Sequence, residues 1–263
     1  MRFWPPSMAD SLAGRCILIT RPASIANRLA RLIRAEGGEP LLFPVIDVLP
    51  AENPSALAAV IGSLQDFDIA VFISPTAVER GMREVRRVRE WPRGLRVAAV
   101  GAGTAATLRA LGFGEILAPR GTGDSEALAA LPELAEMAGR SVVIFRGQGG
   151  REWLRQTLAA RGAQVAYAQC YRRARPSADP GPLLERLREG TIDCVSLTSA
   201  EGLENLVAMI REEGASLLRV IPVFVPHPRI AEAARKRGLQ RRIVVDAGDE
   251  ALVKGIAAFF AKV

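Results

Sequence analysis

The chain has 263 residues, 49% of them hydrophobic and 24% charged, enough for two modest domains or one large one and a composition that speaks against long disorder. Its net charge of +7 sets up a field that attracts polyanions, but aromatic residues are only 5% of the chain, which speaks against a base-stacking nucleic-acid platform. No apolar run approaches the ~18 residues of a membrane helix, the first fifteen residues lack the apolar centre of a signal peptide, and Cys16, Cys170 and Cys194 show no CxxC spacing, so the expectation is a cytoplasmic protein with buried, reduced thiols.

In chain order, the stretch MRFWPPSMADSLAGR reads as a short disordered extension. CILIT (16–20) is the first strand, and IANRLARLIRAEG (25–37) has helical period and ends on glycine. The Pro-bounded segment 43–54 reads as a connection. IAVFIS (69–74), RVAAV (96–100) and EILAP (115–119) read as strands, with the helical stretch TAATLRALG (104–112) between the last two. SVVIF (141–145), the helix 151–162 and QVAYAQCY (164–171) follow, then a second Pro-rich connection at 169–181. DCVSLT (193–198), IPVFV (221–225), the helix 229–238 and RIVVD (242–246) complete the series. Nearly continuous apolar strands alternating with helices indicate a parallel sheet covered on both faces, the doubly wound α/β class. Gly37, Gly112, Gly162 and Gly238 stand where helix C-caps are expected.

The chain also repeats itself. Gly14-Arg15 returns as Gly139-Arg140, a spacing of 125 residues (139 − 14). The same spacing carries Arg21 to Arg146, Leu29 to Leu154, Asp68 to Asp193, Ser74 to Ser199 and Asp124 to Asp249. Such a register indicates a duplicated fold, with a cleft expected between the copies. One layout splits the chain near residue 139. The paired Pro-bounded connections suggest another, with residues 51–170 inserted as one domain between 1–47 and 176–263 of the other.

In open parallel sheets ligands sit beyond the strand C-termini. Five loops there are rich in Ser, Thr, Gly or Pro: Thr20-Arg21-Pro22, Ser74-Pro75-Thr76-Ala77, Gly101-Ala102-Gly103-Thr104, Arg146-Gly147-Gln148-Gly149-Gly150 and Thr198-Ser199-Ala200. Each would present backbone N–H groups at a helix start, an anion site; taken singly, Ser74, Thr104 and Ser199 read equally well as helix caps. GAGTAA (101–106) matches a dinucleotide fingerprint only weakly, since no acidic residue follows EILAP, and a tight turn explains it better. His227 is the one histidine, so neither a metal site nor a Ser-His-Asp triad is expected, and it reads as a polar loop residue within reach of ligand. Tyr171 has Ile46 as its counterpart in the other repeat, so symmetry does not account for it. A phenol there suits proton donation to a leaving group, or else packing at a hinge.

The ordered set of segments, LITRP through GGEPLLFPVIDV (18–48), FDIAVFISPTAV (67–78), VAAVGAGTAATLRALGF (97–113), VVIFRGQGGRE with RGAQV (142–165), CYRRARP (170–176) and IDCVSLTSAEGL (192–203), resembles uroporphyrinogen-III synthases from about Gly14 to Phe260. The resemblance implies two similar doubly wound parallel-sheet domains joined by a two-stranded linker, the first domain discontinuous, which favours the inserted layout. It implies hydroxymethylbilane as substrate, loss of water, inversion of the last pyrrole ring through a spiro intermediate, and no metal or organic cofactor. It casts Tyr171 as the tyrosine assisting hydroxyl departure. Ser74, Pro75, Thr76, Ala77, Gly101, Gly103, Thr104, Thr198, Ser199 and Ala200 are expected to hold carboxylates, with Arg21, Arg146, Gly147, His227 and Arg229 beside them. A monomer acting on a small molecule, with no nucleic acid or membrane partner, is the companion expectation. The chain departs from the family pattern at Leu197, where phenylalanine is common, and across Val225–Ala231, where Ile230 replaces a threonine. The rival readings are a two-lobed sensor that binds an anionic ligand without chemistry, and a nucleotide-dependent enzyme using GAGTAA.

Overall fold

The computed structural model describes residues 10–121 and 123–262; the expected N-terminal extension lies, up to Ala9, outside the described residues. In chain order the strands are β1 (Cys16–Ile19), β2 (Glu39–Leu42), β3 (Asp47–Pro50), β4 (Ile69–Phe72), β5 (Arg96–Ala99), β6 (Ile116–Leu117), β7 (Ser141–Gly147), β8 (Gln164–Ala174), β9 (Cys194–Ser196), β10 (Val223–Val225) and β11 (Arg242–Val244). The helices are α1 (Ala23–Ala35), α2 (Pro54–Gly62), α3 (Pro75–Val88), α4 (Ala102–Ala110), α5 (Ser125–Ala129), α6 (Trp153–Ala160), α7 (Gly181–Arg188), α8 (Ala200–Leu218), α9 (Pro228–Lys236) and α10 (Asp249–Phe260). Among the described residues no helix is long and apolar enough to cross a membrane.

In β1 and β4 every position is buried. Cys16 and Leu18 enter one apolar core, Ile17 and Ile19 another. Ala70 and Phe72 of β4 point to one core, Ile69 and Val71 to a second. Alternate side chains lie on opposite sheet faces, so an all-apolar strand needs a helical layer on both sides. Each fully buried Leu, Ile or Phe contributes roughly 1.5–3 kcal/mol. On the Phe72 face, Phe145 stacks on Phe72 at 4.5 Å, and Gly81 lets α3 settle on the Phe145 ring, since a Cβ at residue 81 would lie 2.6 Å from it.

Two compact units result. One is the chain up to Asp47 together with the chain from Ala174 onward; the other is Val48–Arg173. The first holds a five-stranded sheet in the order β2-β1-β9-β10-β11, and the second a six-stranded sheet in the order β3-β8-β7-β4-β5-β6. The pairings of β1 with β2 and β9, of β10 with β9 and β11, of β4 with β5 and β7, and of β5 with β6 and β7 with β8 are all parallel.

The sequence repeat explains this order. Shifting by 125 residues carries β1, β2, β4, β5 and β6 close to β7, β8, β9, β10 and β11. Substituting each strand by its repeat partner turns β2-β1-β9-β10-β11 into β8-β7-β4-β5-β6, the second sheet without its edge strand. Edge strand β3 aside, each sheet therefore takes two strands from one repeat and three from the other. A matched carboxylate lock sits in each. Asp193 accepts from Arg15 (2.9 Å) and from the Cys16 N–H (2.8 Å); Asp68 accepts from Arg140 (2.8 Å) and from the Ser141 N–H (2.8 Å). All four predicted C-cap glycines close their helices in the same way. Gly37, at φ 78°, donates to Arg34 while Gly38 donates to Ile33, and Gly162, at φ 92°, repeats this with Ala159 and Leu158.

Some elements depart from the sequence reading. β2 lies between the helix read at 25–37 and the connection read at 43–54, in a stretch given no element, because EPLL is half exposed and offers no apolar run. β6 keeps only two residues of EILAP, and β8 extends to Ala174, into the second connection. α4 begins at Ala102, so Thr104 is a buried residue inside the first turn and not a cap.

Candidate active site

Both sheets reverse their winding once. In the first unit the reversal lies between β1 and β9, and in the second between β4 and β7. At such points the loops leaving adjacent strands diverge to opposite faces, opening a crevice at the carboxyl edge. The loops predicted to bind ligand lead to these edges.

In the second unit, Ser74 is extended and its Oγ accepts from the Ala77 N–H at 3.1 Å, while Pro75 occupies the first helical position of α3. Pro75 has no N–H and that of Ala77 is taken, so the Thr76 N–H is the donor α3 leaves open. α4 is different. Its cap is Gly101, which has no side-chain bond to offer, so the N–H groups of Ala102, Gly103 and Thr104 remain available. Gly103 is next to α3, with Pro75 Cγ 4.0 Å from where its Cβ would be, and nothing closer. Gly101 packs on Gly123, whose carbonyl would lie 3.1 Å from a Cβ at 101, and only Val100 and Gly101 separate β5 from α4.

Tyr171 is 1% exposed, and its hydroxyl lies 3.4 Å from Ser74 Oγ. A β-bulge puts it there. Arg146 pairs with Gln169, but Gly147 pairs with Tyr171, so Cys170 is skipped. Without the extra residue Tyr171 would share the face of Val165 and Tyr167; with it, Tyr171 joins the core of Ala168 and Cys170, under α3. Gly147 makes room, since a Cβ there would be 2.6 Å from the Tyr171 ring, and the Gln148 N–H donates to the Tyr171 carbonyl at 2.8 Å.

Arg146 is 4% exposed and turns back on its own loop. Its Nε donates to the Gly147 carbonyl (3.2 Å), its Nη1 to Glu152 (3.0 Å) and its Nη2 to the Gly149 carbonyl. The guanidinium carbon lies 4.4 Å from the centre of the Tyr167 ring, and Tyr167 donates its own hydroxyl proton to Glu152 at 2.7 Å. Burial, followed by that hydrogen bond, pushes the Tyr167 phenol up to about 12. The Tyr167 hydrogen bond and then the Arg146 charge hold the Glu152 carboxyl below its usual range. Arg146, expected beside the carboxylates of a ligand, folds onto its own segment here, because three acceptors of that segment lie within its fork.

In the first unit, Ser199 caps α8 by accepting from the Gly202 N–H at 2.9 Å, beside half-buried Thr198, and leaves the Ala200 N–H open. Thr20 ties the two loops by donating to the Ser196 carbonyl at 2.7 Å. Arg21 pairs with Asp249 of α10, both largely buried, and its Nε has no partner. His227 caps α9 through Nδ1, which accepts from the Arg229 N–H at 3.0 Å; the Arg229 side chain is exposed. Asn205 of α8 donates to the Val45 carbonyl at 2.9 Å.

The structure brings Tyr171, Ser74 and Gly147 together, and sets Gly103 beside Pro75. Glu152, Tyr167, Asp249 and Asn205 were not singled out from the sequence. Of these, Asp249 carried a signal as the repeat partner of Asp124, whereas the others have none. The three thiols are buried, and burial raises all of them, Cys16 to about 11 and Cys170 to about 12, so they stay protonated and are poor nucleophiles. Among the described residues no group of three His, Cys, Asp or Glu side chains is placed to hold a metal ion.

These features define a class: a duplicated, doubly wound α/β protein with open helix N-termini and one buried phenol at a winding reversal. Residues 27–254 match the family described as uroporphyrinogen-III synthase HemD. The chain is 33% identical over 246 residues to the uroporphyrinogen-III synthase of Escherichia coli, covering 91% of this chain and 99% of that one, and equally similar to the enzyme of Salmonella typhimurium. In fold it is similar to a mutant uroporphyrinogen III synthase of Thermus thermophilus (TM-score 0.63, 20% identity, 95% of this chain and 100% of that one). It is likewise similar to the Helicobacter pylori enzyme (TM-score 0.58, 14% identity, 93% and 99%). The chain belongs to the uroporphyrinogen-III synthase family.

Proposed function

We infer that the chain is a uroporphyrinogen-III synthase, a cyclising lyase that needs no cofactor and converts hydroxymethylbilane to uroporphyrinogen III in tetrapyrrole biosynthesis. The observation that carries this is identity of 33% spanning 91% of the chain and 99% of a relative of that name. The acetate and propionate groups of the substrate are taken by the open N–H groups of Thr76, of Ala102 to Thr104, and of Ala200, where the helix dipoles favour negative charge. Arg21, with its unpartnered Nε, supports the Ala200 site, and His227 and Arg229 supply the loop where the family threonine is missing. Ring closure asks little of acids and bases: the hydroxyl leaves to give an azafulvene, and the chain must be held so that closure with inversion wins over simple closure. Tyr171 donates the proton with which the hydroxyl departs as water, its own hydroxyl meeting Ser74 at the start of α3.

The test is a coupled assay in which a deaminase supplies hydroxymethylbilane and the oxidised products are separated into type I and type III isomers. Type III product that appears only with this protein supports the reading. Type I alone, at the uncatalysed rate and from folded protein, overturns it.

A further inference from the structure

Among the described residues, the Arg146 network occurs only in the unit that holds the buried phenol. Its partner in the repeat, Arg21, reaches away to α10, and the residue equivalent to Gly147 is Pro22, which caps α1. In the second unit the chain of contacts is continuous. The Tyr167 hydroxyl fixes Glu152, Glu152 and the Tyr167 ring fix the guanidinium, and the guanidinium ties down the carbonyls of Gly147 and Gly149. Gly149 and Gly150 have φ of 73° and 93°, left-handed values that curl the turn back toward the guanidinium. A Cβ at residue 150 would lie 3.0 Å from Arg146 Nη2. The far end of this turn is the Gly147–Tyr171 bulge, where Gln148 bonds the Tyr171 backbone and bare Gly147 lies against its ring.

We propose that Arg146 is a positioning residue for Tyr171: braced by Glu152 and Tyr167, it holds the Gly147–Gly150 turn in the one shape that keeps the bulge, and so keeps the Tyr171 hydroxyl on the α3 side beside Ser74. The consequence for the reaction rests on the reading of Tyr171 as proton donor; the consequence for the position of Tyr171 does not. A lysine cannot replace the arginine, because a single ammonium lacks the planar fork that reaches two carbonyls and a carboxylate while stacking on a ring.

The chain has two tyrosines, Tyr167 and Tyr171, so protein labelled with ¹³C at the phenol carbon gives two resonances, assigned by Tyr171→Phe. In substrate-free enzyme, Arg146→Lys is expected to move the Tyr171 signal. An unmoved signal in folded protein overturns the proposal. In the coupled assay, Arg146→Lys is expected to lower kcat about tenfold, the effect of one charge-assisted hydrogen bond, with KM nearly unchanged. Added to Tyr171→Phe, it should cost nothing further. A raised KM at constant kcat, or a loss that persists in full on the Tyr171→Phe background, overturns the proposal by making Arg146 a direct substrate ligand. A moved resonance together with full turnover of Tyr171→Phe upholds the clamp and removes Tyr171 from the reaction instead. Should Arg146→Lys fail to fold, Tyr167→Phe keeps the stacked ring and removes only the bond to Glu152. It is expected to shift the Tyr171 signal in the same direction, and no shift there overturns the proposal.

Discussion

Arg15 and Arg140 hold Asp193 and Asp68 with the same atoms at nearly the same distances, one pair at the amino edge of each sheet. Arg21 and Arg146 are also a repeat pair, at the carboxyl edges, yet one pairs with Asp249 of α10 and the other folds onto its own loop. Tyr171 stands opposite Ile46 in the same comparison. At the amino edge the two copies keep the same contacts. At the carboxyl edge, where ligands bind in such sheets, the matching residues make different ones.

Substitutions at matched positions test that contrast. Tyr171→Phe should lower kcat by roughly 10²-fold, the lower range for a general acid, whereas Ile46→Val at the matching position should leave turnover intact and cost about 1 kcal/mol of stability. Equal effects on turnover would break the comparison. Gly147→Ala forces a methyl into the Tyr171 ring and should destabilise by roughly 1–3 kcal/mol in denaturant unfolding, with a fall in kcat.

Ser74→Ala and Ser199→Ala each remove a cap and should each lower stability by about 1 kcal/mol. Only Ser74→Ala should also slow turnover, since only Ser74 meets a phenol; matched kinetic losses would argue that both caps serve the substrate equally. The smallest effect concerns Asp68. The Ser141 N–H, then Arg140, hold its carboxyl below the usual range. A depressed carboxylate stabilises above its unfolded value, about 3.9, and loses that contribution as pH falls through the folded value. The gap in urea midpoint between the wild type and Asp68→Asn should therefore be present at neutral pH and close below about pH 4.

Much of the fold was legible because its signals are local. All-apolar strands such as CILI and IAVF, and the glycines at 37 and 162, state their environment within a few residues. The register of the two repeats was legible too, and it forecasts the matched locks of Asp68 and Asp193. β2 was not, since EPLL is half exposed and its identity as a strand comes from pairing with β1. At the site, Ser74 and the α4 start could be read from loop composition. The meeting of Tyr171 with Ser74 could not, because it depends on a bulge that reverses the parity of one strand. The inward turn of Arg146 was hidden for a similar reason: its acceptors are backbone carbonyls, whose direction follows from the φ of two glycines.

The exchange of strands between repeats has a consequence for the order in which the protein is made. Val48–Arg173 is continuous and has all its sheet partners once its own last strand has emerged from the ribosome. β1 is synthesised first but pairs with β9, Ile17 lying beside Cys194. At bacterial or eukaryotic elongation rates this is a wait of roughly 10–35 s, during which Ile17, Ile19, Leu29 and Ile33 lack the strands and the C-terminal helix that bury them. β1 and α1 are thus made well before the strands and helix that cover them, which makes them a segment in need of chaperone protection. A circular permutant that joins the ends and opens the chain near Ala174 should make the waiting unit continuous and shorten that exposure.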